Sequence, residues 1–116
     1  MSKAFIQPTV KGDLNKLVEL KNSRIQGRGL FAKEDIEEET RLHNTHINIK
    51  GYGWANIRPN NLANHSKINE NCEIRTEDSI KVLYSISDIQ KGDELLVDYT
   101  KDQDAGFEQP KETWKE

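Results

Sequence analysis

The stretch SIKVLYSISDIQKGDELLVDY, residues 79–99, decides the fold. Ile80, Val82, Tyr84 and Ile86 alternate with mostly polar residues, and this period of two predicts a half-buried strand over 79–87. Lys91-Gly92-Asp93-Glu94 reads as a turn that delivers a second strand over 94–99, ending in Tyr99. If that strand persists to its end, Asp98 and Tyr99 point to opposite faces. Outward from these two segments, KLVELK at 16–21 and NTHINIK at 44–50 read as further short strands, with Gly12, Gly27, Gly29, Gly51, Gly53, Gly92 and Gly106 marking turns between segments. No long window carries the i, i+3, i+4, i+7 apolar stripe of a helix. Asn56, Asn60, Asn61, Asn64, Asn69 and Asn71 crowd one stretch, which reads as irregular coil or broken helix because asparagine tolerates left-handed backbone. The expectation is a mainly β domain of several small sheets.

The chain has 116 residues, one domain's worth, spanning 1–116. With 34% hydrophobic and 32% charged residues, the core must be thin. Seventeen Lys and Arg against twenty Asp and Glu give a net charge of -3, so no positive field draws the chain to nucleic acid or anionic lipid. Cys72 is the single cysteine, which excludes an internal disulfide and a Cys-rich zinc site and fits a reducing, cytoplasmic setting. No apolar run has the length of a membrane helix, and MSKAFIQPTVKG lacks the apolar stretch of a signal peptide. The tail 101–116 is mostly polar yet carries Phe107 and Trp114, which points to docking.

Three constellations could carry chemistry. Gln26-Gly27-Arg28-Gly29-Leu30-Phe31-Ala32 places alternate glycines where a tight turn could set main-chain N–H groups against a ligand. It lacks the third glycine and following helix of a dinucleotide fingerprint and the Lys of a phosphate loop, so a plain turn stands beside the ligand reading. Asn64-His65-Ser66, followed by Asn71-Cys72, could form a polar cradle, or simply a capped turn with a satisfied histidine. The strand ending in Tyr99 is the third; its tyrosine alone would be a rim residue. No glycine elbow surrounds a serine. His43, His46 and His65 have no carboxylate or cysteine at metal spacing, so no metal is expected and a solvated turn or strand edge is the reading for the first two.

Taken together, SRIQGRGLFAKEDI, NHSKINENC and SISDIQKGDELLVDYT occur in the order of the GxG, NHSxxPNC and GEELxxDY segments of SET-domain protein-lysine methyltransferases, which the chain resembles over about 17–100. It is most similar to the small stand-alone SET proteins of viruses, phages and bacteria. The resemblance implies a β-clip-like SET fold of several small sheets with a C-terminal pseudoknot. It implies an S-adenosylmethionine-dependent transferase that methylates a lysine amine of a protein or peptide, with no nucleic acid or membrane partner and a homodimer left open. The cell could be a host cell. Cofactor-binding falls to Gln26, Arg28, Gly29, Asn64 and His65, and the catalytic role to Tyr99. Tyr52, Trp54, Tyr84, Phe107 and Trp114 are candidate walls of the substrate channel, or equally core.

The departures also carry meaning. NHSKINENC is one residue longer than the family segment and lacks its proline, so the turn there must differ. Lys67 stands where many members have a zinc-binding cysteine, and no Cys-rich post-SET segment follows; the tail 101–116 would replace it. The short stretch between the first two motifs leaves little of the insert that shapes substrate choice. A non-catalytic SET-fold module binding cofactor or a lysine peptide is the alternative, and a structural domain of a larger assembly is a third.

Overall fold

The computed structural model describes residues 9–101. Strand β8 (Ile80–Ser85) is the alternating segment anticipated from the sequence, but it is buried on both faces rather than one: Lys81, Val82, Leu83 and Ser85 are all buried. The reason is position. β8 runs antiparallel between β4 (Arg41–Ile49) and β7 (Cys72–Glu77), in the middle of a seven-stranded sheet. A central strand covered on both faces does not show a clean polar side.

The sheet extends outward from β4 to β5 (Gly53–Arg58) and then to β1 (Thr9–Lys11), which lies parallel to β5. On the other side it continues from β7 to β9 (Leu96–Val97) and β6 (Asn64–His65). A separate hairpin pairs β2 (Val18–Asn22) with β3 (Arg28–Ala32). An isolated bridge between Phe31 and Glu94, with Leu95 N–H on the Leu30 carbonyl at 2.8 Å, ties this hairpin to the chain entering β9. The shared core is Val18, Leu30, Ile36, Leu83, Ile89 and Leu95 with smaller neighbours, and Tyr99 packs against it. The expected mainly β architecture is therefore the observed one, gathered among the described residues into one multi-stranded sheet and one hairpin.

The interlocking sits at β9. Both β6 and β7 run parallel to β9 and lie on either side of it, so the loop 66–71 that joins them must cross over β9. Asn71 fastens that crossing: its amide donates to the Glu94 carbonyl at 2.9 Å and its Oδ1 accepts from Leu96 N–H at 2.8 Å. Ser66 N–H reaches the Val97 carbonyl at 3.0 Å from the other side. Each buried backbone group of the short strand thus finds a partner, as burial requires. This is the topology that the pseudoknot implies.

Three local readings are corrected. The asparagine-rich stretch takes the coil alternative and not the broken helix: after the end of β5 it turns at 59–61, forms only the short β6, and is irregular over 66–71. Its asparagines do not serve left-handed backbone either, since the non-glycine residues of positive φ are Glu39 (63°) and Asp78 (56°). Asn60 is instead a buried tie, donating to the carbonyls of Asp13 and Asn44 at 2.9 Å each. The strand expected over 94–99 keeps only Leu96–Val97, because Tyr99 opens a 3₁₀ turn, Tyr99–Lys101. The opposite-face relation of Asp98 and Tyr99 consequently does not hold by strand geometry. Lastly, His43 and His46 are buried on β4, not solvated. Bulges between Arg41 and His43 and between Asn44 and His46 break the alternation that would have marked them as inward.

Candidate active site

Gly27 and Gly29 have different duties. Gly27 (φ 49°) closes the β2–β3 hairpin, its carbonyl accepting from Ser23 N–H at 2.7 Å. Gly29 lies within β3 and is buried. A Cβ there would stand 2.3 Å from Glu94 Oε2 and 2.8 Å from Asn64 Nδ2, so the position needs glycine for close approach. What converges above Gly29 is a set of acceptors. The Asn64 amide donates to Glu94 Oε2 at 2.8 Å and reaches the carbonyls of Gln26 and Arg28 at 3.1 and 3.4 Å. It is the carbonyls of this segment, not its N–H groups, that meet the Asn64 side chain. All three sequence segments meet at this point, and β6 and the entry to β9 bring them there.

The second half of the site is built by β6 and the 3₁₀ turn. His65 is buried, and its Nδ1 accepts from Tyr99 N–H at 3.2 Å. Nδ1 therefore carries no proton, and a neutral ring holds its proton on Nε2. The His65 and Tyr99 rings lie 5.5 Å apart, tilted by 47°, within the range of favourable aromatic contact. The Tyr99 hydroxyl donates to the Ala63 carbonyl. Burial pushes that hydroxyl up to about 12, so it stays protonated at neutral pH. Next to it, burial would raise the Asp98 carboxyl. The Thr100 hydroxyl and N–H on Oδ1, at 2.6 and 3.0 Å, together with the positive Lys101, outweigh burial and hold it below the ordinary value. Asp98 therefore stays ionised while Tyr99 stays neutral. On the rim, Lys101 pairs with Glu70 at 2.9 Å.

Of the expected cofactor residues, Gln26, Arg28, Gly29 and Asn64 are brought together, and His65 joins Tyr99 beside them. The channel candidates fare differently. Tyr84 is no wall near Tyr99: it alternates with Leu83 and Ser85 onto the other face of β8, beneath the Arg75 guanidinium (4.3 Å), its hydroxyl on Glu77. Trp54 lies under the Lys81 ammonium at 4.7 Å, and that ammonium donates to Thr76 at 3.1 Å. Thr76 is four residues along β7 from Cys72, the partner of Val97, or roughly 13 Å by strand rise. Tyr52 is 67% exposed in the β4–β5 turn. Phe107 and Trp114 lie outside the described residues.

Sequence reasoning missed Glu94 and Ser23. Glu94 Oε1 accepts from the Ser23 hydroxyl at 2.9 Å while Oε2 holds Asn64. The available signal was a carboxylate one residue before the buried Leu95, at a place where a solvated turn would not demand one. Among the described residues, no three His, Cys, Asp or Glu side chains are grouped to hold a metal ion, and no helix is long and apolar enough to cross a membrane. The Gln26 and Arg28 carbonyls and the Glu94 carboxylate thus take up the Asn64 amide nitrogen and leave its oxygen facing away from them, an acceptor that suits an ammonium.

Comparison with known proteins gives a consistent result. The chain aligns with a Plasmodium falciparum protein assigned as a histone methyltransferase at 21% identity and a TM-score of 0.61, covering 77% of this chain and 97% of that one. It aligns with a humanized Chaetomium thermophilum Polycomb Repressive Complex 2 bound to an inhibitor at 22% identity and a TM-score of 0.58. The same complex in an autoinhibited conformation bound to S-adenosylmethionine gives 22% and 0.60. In both of these alignments 73% of this chain is covered but only 15% of the larger one. At such identities the likeness is one of fold. No curated protein matches the sequence. The SET domain family matches residues 43–100, which hold the second and third motifs, and the geometry above brings the first motif to them; the chain belongs to the SET-domain family.

Proposed function

We propose that the protein is an S-adenosylmethionine-dependent protein-lysine methyltransferase whose substrate is a protein or peptide presenting a lysine. The observation that carries this reading is the meeting of two units across β6: the acceptor cradle at Asn64 and the Tyr99–His65 pair. When bound, the cofactor supplies a sulfonium methyl, an activated electrophile. Gln26, Arg28, Gly29, Asn64 and His65 would hold it. Asn64 would offer its amide oxygen to the ammonium while the Gln26 and Arg28 carbonyls hold the amide nitrogen behind it, and the exposed Arg28 guanidinium would face the carboxylate.

The difficulty for the reaction is the nucleophile. A lysine with an ordinary value of about 10.4 is almost wholly protonated at pH 7, leaving under ~0.1% free amine. A positive neighbour and an apolar surrounding both favour the neutral amine. Tyr99, neutral and held by Ala63 and by its own N–H on His65, would orient that amine rather than take its proton, a role its raised value supports. Water removes the proton before the lysine is enclosed.

A kinship with small stand-alone SET proteins of viruses, phages or bacteria, a cytoplasmic location and activity without a zinc ion belong to the same proposal, supported by the motif spacing, the single cysteine and Lys67. The test is incubation of the protein with methyl-labelled S-adenosylmethionine and a cell lysate. The expected result is label on lysine side chains of a discrete protein, read by mass spectrometry. Cofactor binding by calorimetry with no transfer to any lysine would establish the binding-module alternative instead.

A further inference from the structure

The Asn64 side chain meets only acceptors on one side: Glu94 Oε2 at 2.8 Å, the Gln26 carbonyl at 3.1 Å and the Arg28 carbonyl at 3.4 Å. Carboxylates and carbonyls cannot donate, so the amide nitrogen must occupy that side and the amide oxygen must point away from the cluster. The two carbonyls alone hold the nitrogen loosely, one of them near the limit of a hydrogen bond. The shorter bond to Glu94, at 2.8 Å, is the one that fixes it.

Glu94 is itself held at several points. The Ser23 hydroxyl donates to Oε1 at 2.9 Å, and Ser23 is set in the hairpin by Ile25 N–H on its oxygen at 3.0 Å and by its own N–H on Gly27. The Glu94 backbone is bridged to Phe31, and its carbonyl accepts from Asn71 at 2.9 Å. Gly29 leaves the space in which carboxylate and amide meet. A carboxylate restrained at this many points is a reference for whatever it touches.

We propose that Glu94 is a positioning residue: it holds the Asn64 amide in the single orientation that presents Oδ1 as an acceptor to the ammonium of the cofactor's amino-acid end. This rests on the cofactor-binding reading above and assigns within it a role to a side chain that touches the cofactor only through Asn64.

Two variants separate this role from a general effect of charge. Glu94→Gln keeps the reach: one oxygen still accepts from Asn64, while its amide group turns to the Ser23 hydroxyl, which can accept. Glu94→Asp keeps the charge and withdraws it by one methylene. Two readouts apply: the side-chain amide signals of Asn64 in 15N NMR of the ligand-free protein, and calorimetric affinity for S-adenosylmethionine. In Glu94→Asp the Asn64 amide protons should lose their protection from solvent exchange, and affinity should fall by about tenfold or more. In Glu94→Gln the signals should persist and affinity should stay within about threefold. A large loss in Glu94→Gln with Glu94→Asp intact would overturn the proposal in favour of a charge effect. Unchanged Asn64 signals and affinity in both would overturn it outright. If the native protein itself binds no S-adenosylmethionine, the cofactor reading fails, while the Asn64 signals still decide whether Glu94 fixes the amide.

Discussion

The Glu94 carboxylate accepts a 2.8 Å hydrogen bond from the Asn64 amide in the space that Gly29 leaves open, since a Cβ on residue 29 would lie 2.3 Å from that carboxylate. One contact thus binds together the three sequence motifs, and each of the three residues depends on the other two.

Gly29→Ala tests the steric half of this relationship. The added methyl meets the ends of two side chains rather than backbone, so they can move, but only by giving up their mutual bond. Unfolding free energy should fall by about 1–3 kcal/mol, read from the denaturant midpoint. S-adenosylmethionine affinity should fall with it. Native affinity in a folded Gly29→Ala protein would show that the cradle tolerates a wider separation than the structure indicates.

Asn64→Ala tests the polar half. It removes the donor shared by Glu94 and two carbonyls and leaves the half-buried carboxylate with Ser23 as its remaining side-chain partner. A lost bond to a charged group costs roughly 1.5–3 kcal/mol, so the variant should fold but melt earlier. Calorimetry should detect no S-adenosylmethionine binding, because both the ligand-facing oxygen and the arrangement behind it are gone. Unchanged affinity would remove Asn64 from the site.

The sequence made the site more legible than the sheet. Asn64, His65 and Tyr99 could be named because their segments keep a fixed order, whereas β7 (CEIRTE) sets Cys72, Ile74 and Thr76 against Glu73, Arg75 and Glu77, a short alternation with only two apolar members. It is a strand because β8 and β9 flank it, a tertiary cause that a local pattern cannot express. Tyr84 misled for a related reason: its alternation with Val82 marked a strand correctly but not which face the active site would use. Glu94 looked like turn chemistry beside Gly92 and Asp93, and only the distant partners Ser23 and Asn64, 71 and 30 residues away, give it a role.

His43 sets a pH limit on stability. Its Nδ1 accepts from Asn15 N–H at 3.2 Å and its Nε2 lies 3.2 Å from the Asn60 carbonyl, an arrangement that suits the neutral ring with its proton on Nε2. Burial lowers it from 6.5 to about 4, opposed in part by the Asn60 carbonyl. The unfolded chain therefore takes up this proton first as pH falls. The stabilisation is complete above pH 6.5, is lost progressively down to about pH 4, and amounts to roughly 3 kcal/mol. His43→Gln, which cannot titrate, should show a flatter dependence of the urea midpoint between pH 6.5 and 4.5 than the native protein. Parallel curves for the two proteins would mean that His43 opens to solvent before it protonates.

Tyr99→Phe isolates the hydroxyl at the centre of the proposed chemistry. The ring keeps its place on the core and its contact with His65, and the backbone N–H on His65 Nδ1 is unaffected. What is lost is one hydroxyl, together with the partner of the Ala63 carbonyl. Cofactor affinity should hardly change, since the residues assigned to bind it remain. If the hydroxyl orients the amine, the single-turnover rate should drop by about 10²-fold, equivalent to ~2.7 kcal/mol of transition-state stabilisation. The pH profile distinguishes orientation from proton transfer. Because burial holds the hydroxyl at about 12, it does not titrate between pH 7 and 10, so the variant's profile should lie below the native one and parallel to it. A rise with pH present in the native protein and absent in Tyr99→Phe would make Tyr99 the base. A loss under threefold, with the same distribution of mono-, di- and trimethyl products, would return Tyr99 to the rim and shift weight to the binding-module alternative.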